Sequence, residues 1–298
     1  MRKRCGFVSI VGPTNAGKST IINALLGTEL LITSSKPQTT RKRVRAIVTR
    51  EDYQIIFVDT PGLHKPLHLL GEFLIDEAKK SLKNIDCIVY VKAADEPEVK
   101  PFEREVLSFL KTLNMPKLFV LNKMDVVKKD RAKEILEDLK EELDFFDSYL
   151  MVSAKRRENI DVLEQWIAAH LPEGEFLFPA DITSDITVRE LAEEYIREAI
   201  IKHVHQEVPH SVAVVIEEFK ERGDTTYISA NIYVERDGQK AIIIGKGGQM
   251  IKKIGKVARE RIEMLLGTKV YLELWVKVRE DWRYKKGALA EFGYKRRD

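Results

Sequence analysis

Cysteine is nearly absent from this 298-residue chain: only Cys5 and Cys87 occur, far apart and outside any C-x-x-C spacing. That count excludes a disulfide framework and a thiolate zinc site, and a reducing, cytoplasmic compartment is expected. Long apolar runs are missing too, so no segment is suited to cross a bilayer as a helix. The opening MRKRCGFVSIVGPT is basic and then apolar. Its apolar part is short and reads as a first buried strand rather than a signal peptide. There is no internal repeat and no low-complexity tract.

What is present suits two folded domains. Hydrophobic residues make up 44% and charged residues 33%, enough for real cores under solvated helical faces rather than disorder. The net charge of +3 hides an asymmetry. Residues 236–298 hold 17 Lys and Arg against 8 Asp and Glu, and the rest of the chain is net acidic. A polyanion held by the C-terminal end is one reading of that surplus, and a solvated charged surface is the other.

The first 171 residues alternate strand and helix. Continuous apolar, β-branched runs stand at 7–11, 53–60, 86–93, 117–123 and 148–154, as in parallel strands covered on both faces. Amphipathic stretches separate most of them, including HLLGEFLIDEAKKSLKN at 68–84 and NIDVLEQWIAAHL at 159–171. RVRAIVTR (43–50) lies too close to the strand at 53 for a crossover, so an antiparallel pairing is expected. LPEGEFLFPADITSD has Pro, Gly and little periodicity, and 173–185 is expected to be a linker. Beyond it the order is helix, strand, strand, helix, helix, strand, a small α+β domain over 186–298 that ends in a basic tail.

Gly12-Pro-Thr-Asn-Ala-Gly17-Lys18-Ser19 fits G-x-x-x-x-G-K-[ST] between a strand and a helix. In that setting backbone N–H groups of residues such as Asn15 and Ala16 wrap phosphates, and the helix N-terminus adds positive potential. Lys18 reaches the outer phosphates, Ser19 ligates Mg2+, and Thr20 follows in the first turn. Three later stretches narrow the ligand. Asp59-Thr-Pro-Gly62 ends a strand, where Asp59 can hold the Mg2+ shell and the Gly62 N–H can sense the terminal phosphate. Asn122-Lys123-Met-Asp125 ends another. A carboxylate there suits guanine, which offers adjacent N–H donors that adenine lacks. Ser153-Ala154-Lys155 closes a further strand and can back up the base.

Four such motifs in this order resemble the translation-factor-related family of GTPases, with GTP or GDP and Mg2+ as ligands of residues 1–172. In Lys36-Pro-Gln-Thr-Thr40-Arg41, Thr40 is the expected second Mg2+ contact, with Thr39 its rival. Lys18, Thr40 and Gly62 are then the residues that meet the reacting phosphate. Leu63 stands where a glutamine normally orients the attacking water, so slow intrinsic turnover is expected. Asn15 matches a position that in some relatives helps hold a potassium ion, and K+ is a hypothesis here. His64 and His68 read as loop surface. His203 and His205 face different sides of a helix and make a poor metal pair. Trp166 reads as helix packing, and Cys87 as core rather than nucleophile.

A second glycine loop, AIIIGKGGQMI at 241–251, lacks the span and the hydroxyl of the first. Its G-x-x-G between helices matches a KH domain, whose loop clamps a single nucleic-acid strand. Gly245, Gly247 and Gly248 permit close approach, and Lys246 adds charge. Of the three isoleucines before the loop, Ile243 and Ile244 are chosen as apolar floor beside Ile242, although some of the three must be core. Lys252, Lys253, Lys256 and Arg259 follow on the next helix, with 252, 256 and 259 on one face.

The fold expected is therefore an α/β P-loop GTPase domain, a mostly parallel sheet with helices on both faces, followed by a small α+β type II KH domain. The whole chain resembles the bacterial GTPases that carry a C-terminal KH domain. That resemblance implies a switch that binds single-stranded RNA near the 3′ end of 16S rRNA and acts in small ribosomal subunit assembly, as a monomer. It also brings peripheral contact with the inner face of the cell membrane, which nothing in these residues demands. Two other classes are a GTPase driving a separate RNA-modifying subunit and a small-molecule kinase. The second is disfavoured by Asn122–Asp125.

Overall fold

The computed structural model describes residues 2–33, 44–59, 84–204, 208 and 211–294. Two compact units divide the chain at Asp185/Ile186.

In the first unit the strands are β1 (Arg4–Val11), β2 (Val44–Thr49), β3 (Tyr53–Asp59), β4 (Cys87–Ala93), β5 (Lys117–Asn122) and β6 (Ser148–Met151). They form one sheet in the order β2-β3-β1-β4-β5-β6. Only β2 is antiparallel, zipped to β3 from Val44↔Asp59 to Thr49↔Gln54, as the short connection required. The helices are α1 (Lys18–Leu26), α2 (Pro101–Lys111), α3 (Lys129–Glu142) and α4 (Ile160–His170). Strand β4 is buried along its whole length, consistent with its apolar run Cys87–Val91. The core on one side gathers Tyr90, Phe119, Leu136, Leu139 and Phe146. The stretch 68–84 lies outside the described residues.

Inside that core sits a buried ion pair. Lys92 Nζ donates to both Glu103 carboxylate oxygens at 2.9 Å and to the Glu98 carbonyl at 2.6 Å. The Tyr90 hydroxyl and the Lys100 N–H complete the Glu103 carboxylate. The group fixes the turn between β4 and α2, and no local pattern in the sequence announces it.

Residues 173–185, expected as a linker, belong to the first unit and are fastened to it. Gln54, fully buried on β3, accepts the Leu177 and Phe178 N–H groups and donates to the Phe178 carbonyl at 2.8 Å. Further on, Ile47 donates to the Thr183 carbonyl at 2.8 Å. Arg45 donates its N–H to Asp185 Oδ1 at 3.0 Å, and the Ser184 hydroxyl donates to the Arg45 carbonyl. An aperiodic Pro/Gly segment reads as free chain, yet it satisfies the unpaired edge of β2.

The second unit is built from α5 (Val188–His203), β7 (Ala213–Arg222), β8 (Thr225–Val234), α6 (Asp237–Ile244), α7 (Gln249–Leu266) and β9 (Lys269–Val278). Its sheet order is β7-β8-β9, antiparallel then parallel. Thr187 and Glu190 form a capping box at the start of α5, which fixes where that helix begins.

The basic C-terminal end is folded as far as Tyr294. Residues 279–294 fold onto the domain, ending in α8 (Lys286–Glu291). Trp282 is fully buried, donates its indole N–H to the Ser211 carbonyl at 2.8 Å, and packs on Phe292 and Tyr294. Three anchors scattered among charges give no periodic signal, so this cap is invisible to pattern reading. Only 295–298 lie outside the described residues at that end.

Candidate nucleotide site and nucleic-acid interface

The loop after β1 is shaped by two glycines that accept no side chain. A Cβ on Gly12 would meet the Val91 carbonyl oxygen at 2.1 Å, and one on Gly17 the Asn122 amide nitrogen at 2.2 Å. Asn15 takes a left-handed φ of 63°, which asparagine tolerates better than most residues. The loop feeds directly into α1, whose first residues are Lys18, Ser19 and Thr20. Lys18 is buried and donates to the Gly12 and Pro13 carbonyls at 3.0 and 2.8 Å. A cation at the mouth of a helix N-terminus, with turning backbone N–H groups above it, is an anion cradle.

The sheet register sets Asp59 opposite Ile10, at the same end of the sheet as Gly12. Ser19 and Asp59 are thus on elements that converge on the loop, a hydroxyl and a carboxylate of the kind Mg2+ takes. Thr39, Thr40, Gly62, Leu63, His64 and His68 lie outside the described residues.

Three loops are tied through Asn122. Its buried side chain donates to the Ala16 carbonyl at 2.9 Å and accepts the Ala154 N–H at 3.1 Å. Asn122 therefore joins the phosphate loop to Ser153–Lys155, with both ends of its amide used inside the protein. Asp125 is partly exposed, and its Oδ1 accepts the Ser153 hydroxyl at 2.6 Å. That hydrogen bond holds the Asp125 carboxyl below the usual carboxylate range. Ser153 itself is fully buried, so it supports Asp125, while Lys155 is exposed. Lys123, at a left-handed φ of 64°, reaches both oxygens of Asp95 at 3.1 Å. Asp95 stands on the turn fixed by Lys92–Glu103 and was missed by motif reading, since it belongs to no motif.

In the second unit Gly245–Gly248 connect α6 to α7, and Gly245, Gly247 and Gly248 all have positive φ. A Cβ on Gly245 would press on Met250 at 2.6 Å, whereas Gly247 and Gly248 have open space. Lys246 and Gly247 are exposed at the tip. Both α6 and α7 pack against β9, and Gly255 lets Leu274 of β9 come near α7. Leu272 and Leu274 of β9 are half-buried, as is Ile244 at the end of α6. Ile243 is a correction: it is fully buried, because it lies on the face of α6 turned to the core, and cannot touch a base. Ile242 is exposed instead. Lys252, Lys253, Lys256 and Arg259 are all exposed along α7. Lys256 and Arg259 lie 3.9 and 4.0 Å from Glu260 and Glu263.

Residues 7–123 match the family described as 50S ribosome-binding GTPase, and 207–283 match the KH domain. GTPase Era of Carboxydothermus hydrogenoformans is 46% identical over 296 residues, covering 99% of each chain. The chain belongs to the Era family of GTPases. GTPase Era of Caldanaerobacter subterraneus subsp. tengcongensis is 45% identical over the same share. Among solved structures, an Era in complex with MgGDPNP and nucleotides 1506–1542 of 16S ribosomal RNA has a TM-score of 0.94 at 40% identity. It covers 98% of this chain and 99% of its own. A variant of Aquifex aeolicus Era bound to GDP·AlF4− has a TM-score of 0.93, also at 40% identity and with the same coverage. As a member of the Era family the chain is a GTPase, with the P-loop and KH architecture expected from its motifs.

Proposed function

We propose that the chain is a GTP-driven switch whose KH domain grips single-stranded 16S rRNA near its 3′ end during small ribosomal subunit assembly. The observation that carries this is the pairing of a built nucleotide cradle with an open glycine tip, Lys246–Gly247, beside four exposed cations on α7. The full-length Era relative that holds 16S nucleotides 1506–1542 supports that RNA as ligand. The description of the GTPase region names the 50S subunit. It covers only residues 7–123, so the full-length relative weighs more. The chain is proposed to act as a cytoplasmic monomer. Among the described residues no helix is long and apolar enough to cross a membrane.

In the nucleotide site, Gly12–Thr20 bind the phosphates, and Asp125, backed by Ser153, accepts the guanine donors. Lys123, Ala154 and Lys155 flank the base, and Asn122 keeps the loops in register. Ser19, Asp59 and Thr40 are the proposed Mg2+ ligands, with Gly62 sensing the terminal phosphate. Bound Mg2+ supplies charge neutralisation across the outer phosphates. With Leu63 in place of a glutamine, we propose that K+ held by Asn15 assists. Equal turnover in KCl and NaCl, or a K+ effect surviving Asn15→Ala, would contradict that.

Coupling to the KH domain is supported by the Arg45–Asp185 contact. The segment that leads into the second unit is fastened to β2, the strand that directly follows residues 34–43. Any nucleotide-dependent change there acts on the root of the connection. The test is UV crosslinking in cells followed by sequencing of the bound RNA. Footprints at the 16S 3′ end are expected. A pull-down dominated by a modifying enzyme instead of ribosomal subunits would favour the RNA-modification alternative.

A further inference from the structure

We propose that the outer face of the KH sheet, remote from the glycine loop, is a second RNA-binding surface with Tyr271 and Trp275 as stacking platforms. The proposal rests on RNA being the ligand of this domain. It adds a site on the side of the sheet opposite α6 and α7.

The strand register assigns the faces. Val270 and Val276 of β9 are buried, and Leu274 lies toward α7. The odd-numbered positions Tyr271, Glu273, Trp275 and Lys277 therefore point to the other side. They stand beside Tyr227, Ser229, Asn231 and Tyr233 of β8, and Tyr227 faces Lys220 of β7. Tyr271 is 62% exposed and Trp275 55% exposed. Tyr227 and Tyr271 are already stacked, with ring centroids 5.8 Å apart and planes within 16°. The Arg222 guanidinium lies 5.2 Å from the Tyr227 ring centre. Tyr271 and Trp275 are four residues apart, about 13 Å along an extended strand, so each offers a separate ring.

The chemistry selects the occupant. The outward positions of β8 and β9 hold no Leu, Ile, Val or Met, whereas a protein-binding core mixes aliphatic with aromatic groups. Aromatic rings interleaved with cations and polar groups are what single-stranded nucleic acid stacks on. Lys220, Arg222, Lys269 and Lys277 lie on this face, against the acids Glu217, Glu218 and Glu273. Those acids are already engaged, by Asn231, Lys220 and Tyr227 respectively. Among the described residues Lys269 and Lys277 make no ion pair and remain for phosphate. The far end of the face is closed by Phe292 over Tyr233, leaving the Tyr227–Tyr271–Trp275 region as the open platform.

The test measures the affinity of the full chain for the 16S segment 1506–1542, with Mg2+ and a non-hydrolysable GTP analogue. Tyr271→Ala combined with Trp275→Ala is expected to weaken binding about 25-fold or more, roughly fivefold or more for each lost stack. The corresponding pair of Phe substitutions is expected to stay within about twofold of the parent, since a ring still stacks. Ultraviolet crosslinking followed by mass spectrometry is expected to place nucleotide adducts on residues 269–278. Binding by the Ala pair within twofold of the parent, or no adduct on that strand, overturns the proposal. Loss of ribosomal-subunit association with unchanged RNA affinity also overturns it, in favour of a protein occupant. Gly247→Asp separates the two sites. Its φ of 58° strains any side chain, though aspartate tolerates it better than most residues, and a Cβ there meets nothing within 4 Å. If only this variant weakens binding, the loop reading stands and the sheet proposal falls. If only the Ala pair does, the reverse holds.

Discussion

Asn122 donates its side-chain amide to the Ala16 carbonyl at 2.9 Å while its own carbonyl takes the Ala154 N–H. One buried residue thereby fixes the spacing between the phosphate loop and Ser153–Lys155. Replacing it with alanine leaves a buried carbonyl and a buried N–H without partners, at about 1–3 kcal/mol each. The expected outcome for Asn122→Ala is a GDP dissociation constant raised by about 100-fold, read from fluorescent-GDP titration. An unchanged constant would mean that the loops hold their spacing without it.

Asp125 is the proposed acceptor of the guanine N–H donors. Asp125→Asn removes an acceptor that guanine N–H donors need and presents an amide N–H in its place. GDP affinity is expected to fall by about 100-fold or more, two charge-assisted hydrogen bonds being lost. XDP, which carries a carbonyl where guanine has its 2-amino group, is expected to bind better than to the parent. The pH sign follows from the depressed carboxyl. Affinity that depends on ionised Asp125 is present above its ordinary range and is lost only as pH falls through the lowered folded value. GDP binding measured from pH 8 down to about 5 is therefore expected to show no acid loss from this group.

Lys92 and Glu103 behave as a unit because neither is solvated. Lys92→Met leaves a buried carboxylate without its counter-charge and is expected to cost about 3–5 kcal/mol in chemical denaturation of the first unit. Adding Glu103→Leu is expected to recover most of that loss, with the Tyr90 hydroxyl bearing the remainder. A double variant as unstable as the single one would show that the pair is not what holds the β4–α2 turn.

The motifs made much of this molecule legible. Strands β1 and β3–β5 stand where continuous apolar runs place them, and Gly12, Gly17 and Lys18 lie at the turn from β1 into α1 as the motif spacing predicts. What escaped was nonlocal. Gln54 and Arg45 fasten residues 173–185 through hydrogen bonds across more than a hundred positions, and no composition rule sees those. Trp282 became core because Phe292 and Tyr294 fold back over it. Ile243 was indistinguishable from Ile242 in a run of three, since only the phase of a short helix decides which one is buried.

The central claim is that nucleotide state sets the grip on RNA. The most direct measurement is the affinity of the full chain for the 16S segment 1506–1542 with Mg2+ and either GDP or a non-hydrolysable GTP analogue. The GTP analogue is expected to tighten RNA binding by about 5–150-fold, and RNA is expected to tighten the analogue by the same factor. Equal RNA affinities in the two nucleotide states would contradict the account.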